Sequence, residues 1–221
     1  MDQPVSEATV GRLPAYLRSL VELAGNEVAS VSSGRLADLV GVNPATLRRD
    51  LSSLGITGTR GVGYDVKYLL FEISVVLGVN QEWAVAVVGT GNLGRALANY
   101  QGLASRGFPV KVLFDIDEDL VGTTIAGLTV QHGDRLPELV ADLGITVGVI
   151  ATSVEAAQSV ADQLVASGVT SILNFTADPL DVPDHVVVRR VDLATELQIL
   201  SFYHRRDTAV SSGSGVPLGE A

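Results

Sequence analysis

Three glycines, Gly89, Gly91 and Gly94, stand in the spacing G-x-G-x-x-G, with Thr90, Asn92 and Leu93 filling the gaps. An apolar run of β type, Ala84 to Val88, leads into them. A helical pattern leads away, toward a second apolar run, Val110 to Phe114, closed by Asp115. In that strand–turn–helix–strand context the motif means dinucleotide binding. Gly89 allows the tight turn, Gly91 lets a pyrophosphate approach the backbone, and Gly94 lets helix pack closely on strand. The phosphates would lie at the helix N-terminus, where unpaired N–H groups and the helix dipole favour negative charge. Asp115, 21 residues beyond Gly94, can accept hydrogen bonds from ribose hydroxyls. Asp117, Glu118 and Asp119 add charge that repels a 2′-phosphate, so the motif predicts NAD(H) rather than NADP(H).

A second constellation lies upstream. Thr46, Arg48, Arg49 and Ser53 fall in Pro44–Leu54, a helical segment whose leucines Leu47, Leu51 and Leu54 define the opposite, core-facing side. Short polar and basic side chains on an exposed helix face suit contacts to phosphates and base edges in a major groove. Shortly after comes Thr57-Gly58-Thr59-Arg60-Gly61-Val62-Gly63-Tyr64, in which three glycines surround one arginine. Such a strand-turn-strand can carry Arg60 into a narrow minor groove. For catalysis nothing comparable appears. His132, His185 and His204 are scattered, without the local spacing of a metal site, and no acid/base stands where a nicotinamide would need one. The sequence therefore predicts no catalytic residue and no metal.

The elements that must position these residues follow from periodicity and punctuation. Thr9–Leu23 has the helical period, with Pro14 expected to kink the helix or mark its start. Ser32 or Ser33 caps a short helix that Gly41 ends, and Asn43 with Pro44 opens the next, giving helix-turn-helix. Asp65 caps another helix ending at Gly78. Beyond Asp115, strands are expected near Leu128–Val130, Thr146–Ala151, Ser171–Phe175 and Val186–Arg189. Helices are expected near Arg135–Asp142, Val154–Ala166 and Asp192–His204. The fold class is thus α/β: an N-terminal winged-helix domain (1–79) and a Rossmann doubly wound parallel sheet (80–190), then a C-terminal helix (191–206) and a disordered Gly/Ser/Pro-rich tail (207–221).

Composition bounds the class. The chain has 221 residues, 47% hydrophobic, with no apolar run long enough for a membrane span and no signal-peptide pattern, so a cytoplasmic, bacterial-type protein is expected. Without cysteine there are no disulfides, thiolate metal sites or cysteine nucleophiles. The net charge of −10 argues against nucleic acid until its distribution is considered. Residues 1–80 carry seven Lys/Arg and eight Asp/Glu, whereas residues 81–221 carry eight and seventeen. The negative charge sits on the nucleotide-binding half.

The segments VSS, LRRDLSSLG and TRGVGYDV, followed by GTGNLGRALANYQG, FDID, VRRVDL and ELQILSF, resemble the Rex family of bacterial NADH-sensing transcriptional repressors over about residues 8–204. The resemblance implies a homodimer swapped through the C-terminal helix, bound to an inverted-repeat operator in double-stranded DNA and controlled by NADH and NAD⁺. It implies that Arg48 and Arg49 contact DNA, that Arg60 and Gly61 form the wing tip, and that Gly89, Gly91, Gly94, Asp115 and the Thr152 segment hold the cofactor. Arg18, Tyr100 and Asp192 correspond to a switch cluster in which an arginine–aspartate contact between subunits differs between states. Two segments depart from the family pattern: Ile150-Ala151-Thr152-Ser153, where the family often has a proline, and Asn174-Phe175-Thr176-Ala177-Asp178, both at the nicotinamide end. Asp178 is expected to point into solvent. The enzyme alternative is a small NAD-dependent dehydrogenase with an appended N-terminal domain.

Overall fold

The computed structural model describes residues 5–212, with side chains through Arg205. The chain divides into two compact units, Met1–Gln81 and Glu82–Ala221.

In the first unit α1 (Glu7–Gly25) is capped by the Ser6 hydroxyl, which accepts from the Thr9 N–H. Leu13, Tyr16, Leu20 and Leu23 recur at helical spacing and are all buried. Pro14 sits inside this helix, which neither starts nor stops there. β1 (Ser30–Val31) precedes α2 (Ser33–Val40), capped by Ser32 and ended by Gly41 at φ +75°. Asn43 then accepts from the Ala45 N–H and opens α3 (Pro44–Ser53), with Pro44 in the first turn, where no N–H is needed. β2 (Tyr64–Asp65) pairs antiparallel with β1, and Asp65 caps α4 (Val66–Leu77). Leu36, Leu47, Leu51, Leu69 and Ile73 join the buried face of α1 in one core. The expected wing is smaller than a strand-turn-strand: a single antiparallel bridge, Thr59 to Gly63, closes the loop over Arg60, Gly61 and Val62. Gly63 lets the loop return against β1, because a Cβ there would lie 2.3 Å from the Val31 carbonyl oxygen.

The second unit runs β3 (Val85–Val88), α5 (Asn92–Asn99), α6 (Gln101–Ala104), β4 (Val110–Asp115), β5 (Thr124–Ile125) and β6 (Leu128–His132). A 3₁₀ turn at Gly133–Arg135 leads to α7 (Leu136–Asp142), β7 (Val147–Ile150), α8 (Val154–Ala166), β8 (Ser171–Asn174), β9 (Val187–Arg190) and α9 (Leu193–Ser212). The sheet order is β5-β6-β4-β3-β7-β8-β9. All neighbours except β5 and β6 are parallel, so β6 to β9 reproduce the doubly wound order 3-2-1-4-5-6. Leu136, Val140, Ala157, Ala161 and Leu164 pack one face of the sheet, and Leu97, Ala98 and Phe108 pack the other.

Three features differ from the expected elements. The helix after the glycine motif breaks at Tyr100 into α5 and α6. β5 pairs with β6 through Ala126 (φ +52°) and Gly127 (φ +79°), the positive pair that a two-residue hairpin turn requires. The C-terminal helix runs to Ser212, past the end expected near His204, and its described side chains do not bury themselves on its own sheet. Residues 193–205 are exposed all round, Leu197 to 67% and Leu200 to 62%. The rest of the expected tail, residues 213–221, lies outside the described residues.

Candidate nucleic-acid interface and nucleotide cleft

In the first unit, Arg48, Arg60 and Gly61 line one open cleft of about 480 Å³ between α3 and the wing loop. Arg48 Nη1 donates to Ser33 Oγ at 3.1 Å, which holds the guanidinium over the start of α2. Ser33, Ser52, Thr57 and Thr59 line the same cleft, a placement that the sequence did not predict for them. Ser52 was legible there, since it follows Arg48 by one helical turn and shares its face. Arg49 is exposed but does not line the cleft, and Thr46 is half-buried. Ser53 is exposed, yet its hydroxyl donates to the Asp50 carbonyl of its own helix at 2.7 Å.

Asp50, on the core side of α3, is only 2% exposed. Arg12 grips it with two hydrogen bonds of 2.7 Å, the Tyr16 hydroxyl donates at 2.7 Å, and the Thr9 hydroxyl donates at 3.0 Å. Tyr16 is fully buried, and the hydrogen bond that its hydroxyl donates to Asp50 satisfies its polar end there. Burial pushes the Asp50 carboxyl up, but the bonds from Arg12, Tyr16 and Thr9 outweigh it and hold the group below the ordinary carboxylate range. Burial and the bond to Asp50 push the Tyr16 hydroxyl up to about 12. α1 thus clamps α3 through charge rather than through leucine contacts alone. An acid in the apolar stripe of Leu47 and Leu51 was the available signal.

In the second unit a cleft of about 360 Å³ opens at the C-terminal ends of β3, β4 and β7, where the strand order reverses. Gly89, Gly91, Asp115 and Thr152 line it, with Ser153, Gly133, Asp134 and Gln163. Thr90, Asn92, Leu93 and Gly94 do not line it; they shape the loop. Gly89 has φ +94°, and a Cβ there would lie 2.6 Å from the Ala151 carbonyl oxygen. A Cβ on Gly94 would lie 1.8 Å from the Gly89 carbonyl oxygen. Gly91 has nothing within 4 Å of that position, so its side of the loop is open to a ligand. Among the described residues no side chain caps α5, and its first N–H groups stay available to an anion.

Asp115 accepts from the Thr90 N–H at 2.6 Å and the Thr90 hydroxyl at 2.7 Å on one oxygen, and from the N–H groups of Ile116 and Asp117 on the other. Burial raises its pKa, but these bonds prevail and keep the carboxyl below its usual range. In the altered Asn174–Asp178 segment, buried Asn174 accepts from the Thr176 N–H and hydroxyl and donates to the Asp178 carbonyl. The Asp178 residue is exposed.

The residues expected to form the switch cluster are divided between the two units. Arg18 is exposed on α1. Tyr100 sits at the α5–α6 break, its ring packed where a Cβ on Gly102 would otherwise stand. Asp192 caps α9, accepting from the Ala194 and Thr195 N–H groups and the Thr195 hydroxyl. Among the described residues no group of three or more acidic or histidine side chains could hold a metal ion, and no helix is long and apolar enough to cross a membrane.

A family described as "CoA binding domain" matches residues 80–178, and one described as "Putative DNA-binding protein N-terminus" matches residues 4–52. The chain is 55% identical over 210 residues to the redox-sensing transcriptional repressor Rex of Streptomyces griseus, covering 95% of this chain and 83% of that one. It is 46% identical to the Rex of Pelotomaculum thermopropionicum, over 90% and 93% of the two chains. Among solved structures it is similar to RSP, a Rex-family repressor, in complex with β-NAD⁺ and operator DNA. The TM-score is 0.88 at 33% identity, over 97% of this chain and 100% of that one. The same protein in complex with β-NADH matches with a TM-score of 0.84 at 33% identity, over 95% of this chain and 99% of that one. With an arginine-lined cleft beside α3 and a nucleotide cleft at its strand-order reversal, the chain belongs to the Rex family of redox-sensing transcriptional repressors.

Proposed function

We propose that the protein is a homodimeric repressor that binds an inverted-repeat operator through its winged helices, one half-site per subunit, and leaves it when NADH occupies the cleft of the second unit. The observation that carries this is one chain holding both the Arg48/Arg60 cleft and the Gly89–Asp115 cleft, in a fold similar over nearly its whole length to a relative solved with operator DNA and NAD⁺. Asp115, Asp117, Glu118 and Asp119 favour a ribose with free hydroxyls over one carrying phosphate, which selects NAD(H) over NADP(H) or coenzyme A. α9, whose Leu197 and Leu200 are exposed, is the element that a second subunit would cover, as a swapped helix does. The work is regulatory, on cytoplasmic DNA. The dehydrogenase alternative is dropped, because the relatives named above are repressors.

NADH must bind the released arrangement more tightly than the DNA-competent one, since a ligand with equal affinity for both shifts nothing. Anisotropy of a labelled inverted-repeat duplex, titrated with protein alone, with NAD⁺ and with NADH, tests this. Binding abolished by NADH and spared by NAD⁺ is expected; binding indifferent to both would remove the sensing half of the reading. In the same assay Arg48→Ala and Arg60→Ala should each weaken operator binding and lower the salt slope by about one if the arginine meets a phosphate.

Arg18, Tyr100 and Asp192 form the proposed switch, with Arg18 meeting Asp192 of the second subunit in one arrangement. Because Asp192 also caps α9, alanine would unravel the helix start and confuse the test. Asparagine caps as well as aspartate but carries no charge. Asp192→Asn is therefore expected to preserve operator binding and blunt its release by NADH. Unchanged release would exclude the ion pair as the coupling contact.

A further inference from the structure

The carboxylate that should receive the adenosine ribose is already full. A carboxylate offers about four lone-pair sites. In Asp115 all four are occupied, by the Thr90 N–H, the Thr90 hydroxyl, the Ile116 N–H and the Asp117 N–H, at 2.6 to 3.1 Å. Three of these donors are backbone groups fixed by the turn. The Thr90 hydroxyl is the one donor that a side-chain rotation can remove. Thr90 itself is fully buried, and Asp115 is the acceptor its hydroxyl uses.

We propose that the Thr90 hydroxyl competes with the ribose of the dinucleotide for Asp115, and thereby sets how much NADH the protein requires. This rests on the NADH-sensing reading above. A ribose hydroxyl entering the cleft must displace the Thr90 hydroxyl, and that buried group is then left without an acceptor, a loss that water cannot repair. The ribose contact is thus an exchange of one hydrogen bond for another. With valine at position 90 the ribose would displace only water.

Calorimetric titration of the full chain, with NADH and with an NADH analogue whose adenosine ribose lacks both hydroxyls, tests the proposal. Wild type is expected to lose less than about threefold in affinity with the analogue, and Thr90→Val to bind intact NADH about tenfold more tightly. Thr90→Ser, which keeps the hydroxyl, should behave as wild type. A wild-type loss beyond threefold would overturn the competition, and so would a Thr90→Val variant that binds NADH no more tightly than wild type. The wild-type arm decides the matter even if the valine variant does not fold. Failure of wild type to bind NADH at all would instead defeat the sensing reading and this proposal together.

Discussion

Asp50→Ala is expected to destabilise the DNA-binding unit by about 3 kcal/mol and to abolish specific operator binding. The carboxylate ties α1 to the recognition helix through four hydrogen bonds, from Arg12, Tyr16 and Thr9. Deleting it strands the Tyr16 hydroxyl in a fully buried position, whereas Arg12, 31% exposed, recovers part of its solvation from water. That recovery keeps the expected cost at the lower end for a broken buried ion pair. Urea unfolding, with the transition of this unit followed separately, checks the energy, and a labelled duplex checks the binding. A change below about 0.5 kcal/mol, the size of an ordinary surface substitution, would show that the clamp is dispensable.

The clamp also predicts a pH dependence. Asp50 titrates lower in the folded unit than in the unfolded chain, so its contribution is present above about pH 4, near the unfolded value, and is lost as pH falls through the lower folded value. The Tyr16 shift has the opposite sense. Its contribution is present below about pH 10, near the unfolded value. It is lost as pH rises toward the folded value of about 12. Asp50→Asn should remove the acid limb that belongs to this group.

Gly94→Ala is the second large effect. The added methyl would stand 1.8 Å from the Gly89 carbonyl oxygen and 2.9 Å from its carbon, both backbone atoms that cannot rotate away. α5 must lift from β3, and the loop that faces the cleft moves with it. Overpacking of this kind costs about 3 kcal/mol of stability, and the displaced loop should weaken NADH binding by about 100-fold. Operator binding should survive while release by NADH is lost. Gly91→Ala is the informative contrast, since nothing lies within 4 Å of its Cβ position. That variant should melt like wild type yet bind NADH weakly, because the methyl occupies the side that the pyrophosphate approaches. Equal NADH affinity in Gly91→Ala and wild type would mean that the phosphates do not pass there.

Much of the fold was legible because its determinants are local. Ser32, Asn43 and Asp65 cap the helices that follow them, and Gly41 and Gly78 end helices in left-handed conformations, all within a few residues along the chain. The doubly wound class followed from short apolar runs alternating with stretches of helical period, whereas the strand order came from the structure. What escaped was small or long in range. The two-residue β5 is too short to leave a periodic trace, and the break at Tyr100 accompanies a ring lying over Gly102, a contact that no local period records.

The sites divide along the same line. By itself the sequence determined that a glycine loop followed by an acid would build a dinucleotide cleft, and that a basic helix and wing would share a unit. Spacing along a strand, turn or helix carries that information. Only the tertiary structure decided which polar groups are shared. Asp50 meets Arg12 across 38 residues, and Asp115 is filled by Thr90 across 25. Only there does α9 prove to leave its own sheet uncovered by its apolar side chains. Such pairings depend on how whole helices and strands approach one another, and no local period records that.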